Sequence, residues 1–189
     1  MAATEPVKCK KQVRELADYW LKRGNKRNYL LIVFGVCTAL RISDLLLLKW
    51  ADVYNEATGT YYPHISVIEK KTNKTKKIAL NHQAINALKA YFPQRRGKYI
   101  FSNNRKNENA LCRVQAWRII REASKAIGIT GATGGHVLRK TFGFFAWQSG
   151  VLPVLLMDLF NHSSFEITRR YLGISQTDRD KVYLSLTLF

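Results

Sequence analysis

The stretch Gly135-His136-Val137-Leu138-Arg139-Lys140-Thr141-Phe142 decides how this chain is read. A glycine-rich linker runs into it from Gly128, with four glycines by Gly135, and such a run breaks regular structure before a new helix starts. His136 and Arg139 are three apart, so on a helix they share a face. A histidine beside an arginine makes a poor metal site, because the guanidinium repels the metal, and a good site for a phosphate oxygen. A solvated basic helix end fits these residues equally well, and the stretch alone leaves both readings open.

Toward the C-terminus the pattern predicts three helical pieces, at 136–149, 153–160 and 164–172. The last follows Asn161-His162-Ser163-Ser164 and carries Arg169-Arg170-Tyr171. Ser163 or Ser164 can cap it. Beyond it Val182, Tyr183, Leu184, Leu186, Leu188 and Phe189 make the end of the chain apolar.

Toward the N-terminus, 111–127 reads as a helix and 94–110 as a polar loop holding Arg95, Arg96 and Lys98. Asn81 caps a helix through Tyr91, and Pro93 stops it. His64 to Ile68 alternates and is β-branched, a lysine-rich turn follows, and Ile78-Ala79-Leu80 returns, which together read as a hairpin. Helices are predicted over 6–24, with Val13, Leu16, Ala17 and Trp20 on one face, and over 26–40. A third begins near Ser43 as N-cap and carries Leu45 to Leu48. Thr38-Ala39-Leu40-Arg41-Ile42-Ser43-Asp44-Leu45-Leu46 places an arginine inside an apolar run, where a guanidinium needs a partner. Arg41 is either salt-bridged to Asp44 for structure, or a phosphate-binding arginine at a helix start that Asp44 holds. The expected architecture is α+β, mostly helical with a small antiparallel β-sheet.

The 189 residues suit one domain, and nearly half of them are apolar, so a core is within reach. Thirty-one lysines and arginines stand against 13 acids, a formal net charge of +18. Such an excess points to a polyanionic partner, nucleic acid before an anionic membrane. The longest apolar stretch, 29–40, is too short to span a bilayer, and the first residues hold no apolar signal region. Cys9, Cys37 and Cys112 are odd in number and widely spaced, as expected of reduced cytosolic thiols. His64 and His82 are lone and read as surface or hairpin residues. No carboxylate cluster of the two-metal kind and no Walker loop is present.

Taken jointly, the order Arg41, His136-x-x-Arg139, His162, Tyr171 resembles the tyrosine recombinase (phage integrase) family. Arg139 precedes Tyr171 by 32 residues and His162 precedes it by nine, as in that family. Ala-Leu-Arg-Ile-Ser-Asp-Leu-Leu, His-Val-Leu-Arg-Lys-Thr-Phe and Asn-His-Ser-Ser match its wording over residues 28–172. The resemblance implies a site-specific recombinase or integrase that cuts and rejoins double-stranded DNA through a 3′-phosphotyrosine on Tyr171, without metal, ATP or other cofactor. Arg41 and Arg139 would bind the non-bridging oxygens with paired donors. His136 and His162 would donate or shuttle protons, because a free phenol, with a pKa of about 10, needs a base or a cationic pocket. The family's hairpin lysine, which protonates the leaving 5′-oxygen, falls on Lys71, with Lys74 as the alternative. Lys70, Lys74, Lys76, Lys77, Arg95, Arg96 and Lys140 are candidate DNA-backbone contacts.

Two departures are visible. Asn161 stands where many members have glycine. Only a short segment precedes the helix leading to Arg41, so residues 1–189 are expected to form a single catalytic domain without the N-terminal clamp domain, as in the fimbrial inversion recombinases. By resemblance the tail, 172–189, would be exchanged between protomers of a tetramer on DNA in a prokaryotic cytosol; packing on its own core is the other reading. A type IB topoisomerase-like strand transferase, a non-catalytic DNA-binding protein and a basic structural protein are the rival readings.

Overall fold

A computed structural model describes residues 4–103, 109–129, 134–174 and 176–185. Helix α1 (Lys10–Leu21) buries the face bearing Leu16, Ala17 and Trp20. Residues 6–9, predicted as its first turns, lie outside the helix instead. They do so because their partners lie far along the chain: the Val7 amide donates to Thr141 Oγ1 at 3.0 Å, and Val7 itself is buried. Helix α2 (Lys26–Thr38) opens on Asn25, whose side chain accepts from the Asn28 amide at 3.1 Å. Leu30, Leu31, Ile32 and Phe34 are fully buried, so this helix runs through the core.

α2 ends on Ala39, which adopts a left-handed backbone at φ 53°. That turn redirects the chain into the short helix α3 (Ile42–Leu45). Arg41, not Ser43, stands at its N-cap, and Ser43 lies inside the helix. Two antiparallel ribbons follow. The first, β1 (Tyr54–Asn55) with β2 (Thr60–Tyr61), has no counterpart in the sequence reading. Its strands are two residues long, too short to show a period, and its Tyr54 and Tyr61 rings pack on Phe92. The second is the expected hairpin, β3 (His64–Ile68) with β4 (Thr75–Ala79), in register Ile65 opposite Ile78 and Val67 opposite Lys76.

Helix α4 (His82–Tyr91) is capped by Asn81, whose side chain accepts from the Ala84 amide at 2.9 Å. Pro93 sits within one tight 3-10 turn, Phe92–Gln94, that ends the run. Helix α5 (Arg113–Ala126) buries Ala116, Ile119, Ile120 and Ala123. Helices α6 (Val137–Gln148), α7 (Pro153–Leu159) and α8 (Phe165–Leu172) lie within a residue of their predicted bounds. Helix α9 (Gln176–Ser185) closes the described chain. Its Tyr183 and Leu184 are 77% and 83% exposed, so they do not pack on the protein's own core. Leu186, Leu188 and Phe189 lie outside the described residues. No helix among the described residues is long and apolar enough to cross a membrane.

Two clusters of buried side chains result. The larger joins α1, α2, α4, α5 and the β3–β4 hairpin, and Val137 and Leu138 of α6 enter it. The smaller, Ala39, Leu156, Phe160 and Leu172, sits among α6, α7 and α8. Helix α6 therefore spans both, and its approach to α2 is close: a Cβ on Gly35 would stand 2.5 Å from Leu138 Cδ1. Gly35→Ala should force Leu138 to shift and destabilise the protein by about 1–3 kcal/mol, measured by thermal or denaturant unfolding.

Candidate active site

The site is assembled where the two clusters meet. Arg139, one turn into α6, is 1% exposed. Its Nη1 donates to the Ala39 carbonyl at 2.8 Å and its Nη2 to the Phe160 carbonyl at 2.6 Å. Both acceptors sit beside left-handed backbone: Ala39 itself at φ 53°, and Asn161, next to Phe160, at φ 47°. Arg41 Nη2 reaches the same Phe160 carbonyl at 3.4 Å, and Lys76 Nζ donates to the Leu159 carbonyl at 2.6 Å. Three cations thus grip the C-terminal end of α7, where carbonyls lack helical partners and carry partial negative charge.

The arginines are paired by a carboxylate that the sequence reading missed. Glu69 Oε1 lies 2.8 Å from Arg41 Nη1 and 3.7 Å from Arg139 Nη1, and Glu69 is fully buried. The expected Arg41–Asp44 bridge does not form. Asp44 Oδ1 instead accepts from the Lys70 amide at 3.2 Å, tying α3 to the hairpin turn. A signal for Glu69 was present: β3 alternates with Ile65 and Val67 inward, and Glu69 continues that inward face. Lys76 yields to the same rule, being on the face of Ile78 in β4. It points inward, which corrects its reading as a surface phosphate contact. Burial first, then Arg139, pulls its ammonium down to about 8.

Above this floor an open cleft is lined by Arg41, Lys71, His136, His162 and Tyr171, together with Lys70, Thr72, Asn161 and Ser163. Ser164 caps α8 by accepting from the Ile167 amide at 3.4 Å, which aims Tyr171 at α6. The Tyr171 hydroxyl lies 3.3 Å from His136 Nδ1. Its ring packs between His162 and Phe160, with centroids 4.7 and 5.4 Å away. His162 Nδ1 is held by Thr168 Oγ1 at 3.0 Å. Burial and then Arg139 pull the His162 imidazole down to about 4. His136 is lowered in the same way, by burial and then by Arg139 and Lys140. Both imidazoles are therefore neutral at pH 7, and a neutral ring can accept a proton.

Of the remaining candidates, Lys71 faces the cleft and Lys74 is not among the residues lining it. Lys77 is exposed on β4. Arg95 and Arg96 lie in a separate basic cleft with Arg23, Lys26 and Arg27, where Arg95 pairs with Glu56 at 3.3 Å and stacks on Phe92. Lys140 Nζ donates to the Thr4 carbonyl at 2.6 Å and lies 5.4 Å from the Tyr171 ring centre. Arg139 is brought to the site but not to its opening, since its Nη atoms turn to the carbonyls beneath. His64 and His82 are exposed and apart from the cleft.

Residues 9–177, which carry this cleft and its floor, match the phage integrase family. The chain belongs to that family, the tyrosine-type site-specific recombinases. It is 35% identical over 184 residues to the probable integrase/recombinase YoeC of Bacillus subtilis, covering 97% of each chain. It is 27% identical over 154 residues to the tyrosine recombinase XerD of Mycobacterium tuberculosis, covering 77% of this chain and 47% of that one. In fold it is similar to the XerH site-specific recombinase bound to its palindromic difH substrate after cleavage, with a TM-score of 0.78 at 20% identity over 98% of this chain and 54% of that one. The chain thus spans about half the length of XerD and XerH.

The neutral histidines set a pH dependence of stability. An unfolded histidine titrates near 6.5 and folded His162 near 4, so between those values the unfolded chain binds more protons. Stability should be full above pH 6.5 and fall as pH drops toward 4. Denaturant melts across this range should show the slope, and His162→Gln should flatten it.

Proposed function

We propose that the cleft performs strand cleavage and rejoining on double-stranded DNA with Tyr171 as nucleophile. The observation that carries this is the Tyr171 hydroxyl at 3.3 Å from the neutral His136, on a cleft shared with Arg41, Lys71 and His162. Tyr171 Oη attacks the scissile phosphorus, and its proton passes to His136 Nδ1. The bond from phosphorus to the 5′-oxygen breaks, and Lys71 protonates that oxygen as it leaves. A 3′-phosphotyrosine and a free 5′-hydroxyl result, and the reverse reaction reseals a strand without ATP. Arg41 offers its guanidinium to the oxygens on which charge builds, and His162 adds a donor beside it. Arg139 Nη1 and Nη2 each give one N–H to a carbonyl of the floor, and Nη2 keeps a second N–H that it would offer to a phosphate. It also serves the site by holding the Phe160 carbonyl and the charge balance of the floor.

DNA as partner accords with XerH and other relatives solved on DNA, and with the net charge of +18. Exposed Lys70, Lys74 and Lys77 flank Lys71 on the hairpin and would contact backbone phosphates. Residues 1–189 would act as one catalytic domain in the cytosol. The exposed apolar side chains of α9, Val182, Tyr183 and Leu184, are suited to dock on a neighbouring protomer of a DNA-bound tetramer.

Supercoiled plasmid incubated with the protein in EDTA without ATP should give relaxed topoisomers and an SDS-stable protein–DNA adduct. Both should vanish in Tyr171→Phe; adduct persisting in that variant would remove Tyr171 from its role. Deleting residues 178–189 should leave a folded protein that binds DNA but no longer assembles on it, read by native gel and sedimentation. An unfolded product would instead show that the tail belongs to the protein's own core.

A further inference from the structure

Glu69 has no part in the chemistry described above, yet four segments converge on it. Its Oε1 faces Arg41 and Arg139, at 2.8 and 3.7 Å. Its Oε2 accepts from Asn161 Nδ2 at 2.7 Å and from Thr72 Oγ1 at 3.0 Å. The two arginines come from α3 and α6, Thr72 from the turn that carries Lys71, and Asn161 from the residue before His162. A fully buried carboxylate is costly unless paired, and two neighbouring guanidiniums repel. Placed between them, the carboxylate turns that repulsion into attraction and sets their separation. Burial alone would raise its pKa, but the Asn161 and Arg41 contacts outweigh burial and keep it below the ordinary carboxylate range.

Asn161 carries the second observation. Its backbone is left-handed, φ 47°, a conformation in which glycine is unstrained and asparagine is tolerated. Its side chain serves Glu69. We propose that Glu69 and Asn161 are a positioning pair: one carboxylate sets the spacing of the two arginines, and through Asn161 it fixes where His162 stands relative to them. The proposal rests on reading the cleft as a recombinase site, and neither residue touches the reacting phosphate.

Five proteins test it: wild type, E69Q, N161G, the E69Q/N161G double and E69D. Glycine relaxes the left-handed backbone, so N161G removes the contact without straining the fold. Adduct formation on plasmid with protein in excess should slow about tenfold or more in each single variant, as expected of small misplacements around a reacting centre. DNA-binding midpoints should shift by less than about twofold, because surface lysines set affinity. The double should be no slower than the slower single variant. E69D keeps the charge but draws the oxygens back by one methylene, and should be as slow as E69Q. Wild-type rates in N161G or in E69D would overturn the proposal. Thermal unfolding of the same set tests it without DNA: loss of melting temperature in E69Q to which N161G adds nothing is expected, and additive losses would overturn it. That arm stands even where wild type forms no adduct, a result that would defeat the recombinase reading alone.

Discussion

A guanidinium with almost no exposed surface must find acceptors, and Arg139 finds them in two carbonyls far apart in sequence. Ala39 ends α2, and Phe160 ends α7. By binding both, Arg139 ties the end of a helix that runs through the large core to the end of the helix beneath Tyr171. The acceptors are presented by backbone in left-handed conformation, which costs about 1–2 kcal/mol for a residue with a Cβ. Strain of this kind persists where surrounding structure over-determines it. Here the determinant is visible: relaxing either turn would withdraw a carbonyl from a buried charge.

The same constraint shapes the electrostatics. Arg41, Arg139 and Lys76 lie together, against Glu69 and Asp44. Each cation raises the cost of charging its neighbours, and with burial this lowers Lys76, His136, Arg139 and His162. Arg139 is lowered to about 10, by burial and then by Arg41. The histidines remain neutral for the same two causes. The cleft thereby stays cationic while its imidazoles can still accept protons. The carboxylates keep the floor from flying apart, and Thr72 carries that influence out to the lysine turn.

The sequence showed this fold and site unevenly. Caps and periods placed α4, α6, α7 and α8 nearly to the residue, because Asn81, Pro153 and Ser164 act locally. Long-range contacts defeated the same rules at residues 6–9, where Val7 is claimed by Thr141. The first ribbon is too short for any period to register. At the site, Arg41, His136, His162 and Tyr171 were legible by order and spacing, and they meet at one cleft. Lys76 was read through its charge rather than its place, and Glu69 was missed altogether. In a short hairpin that misleads, since alternation sends both inward whatever their polarity. The partner of Arg41 went astray for a related reason: Asp44 is near in sequence, but its carboxylate is taken by the Lys70 amide, whereas Glu69 arrives from across the fold.

The segment at residues 4–8 does more than fill a groove. Lys140 Nζ holds the Thr4 carbonyl, and Lys8 Nζ donates to the Gly173 carbonyl at 3.1 Å, just past the helix that bears Tyr171. That last contact closes a loop of 165 residues. Lys140 belongs to α6 and Gly173 follows α8, so the N-terminal segment is held by both of the helices that face each other across the Tyr171 ring. A chain trimmed before residue 9 would lose both of these ties at once.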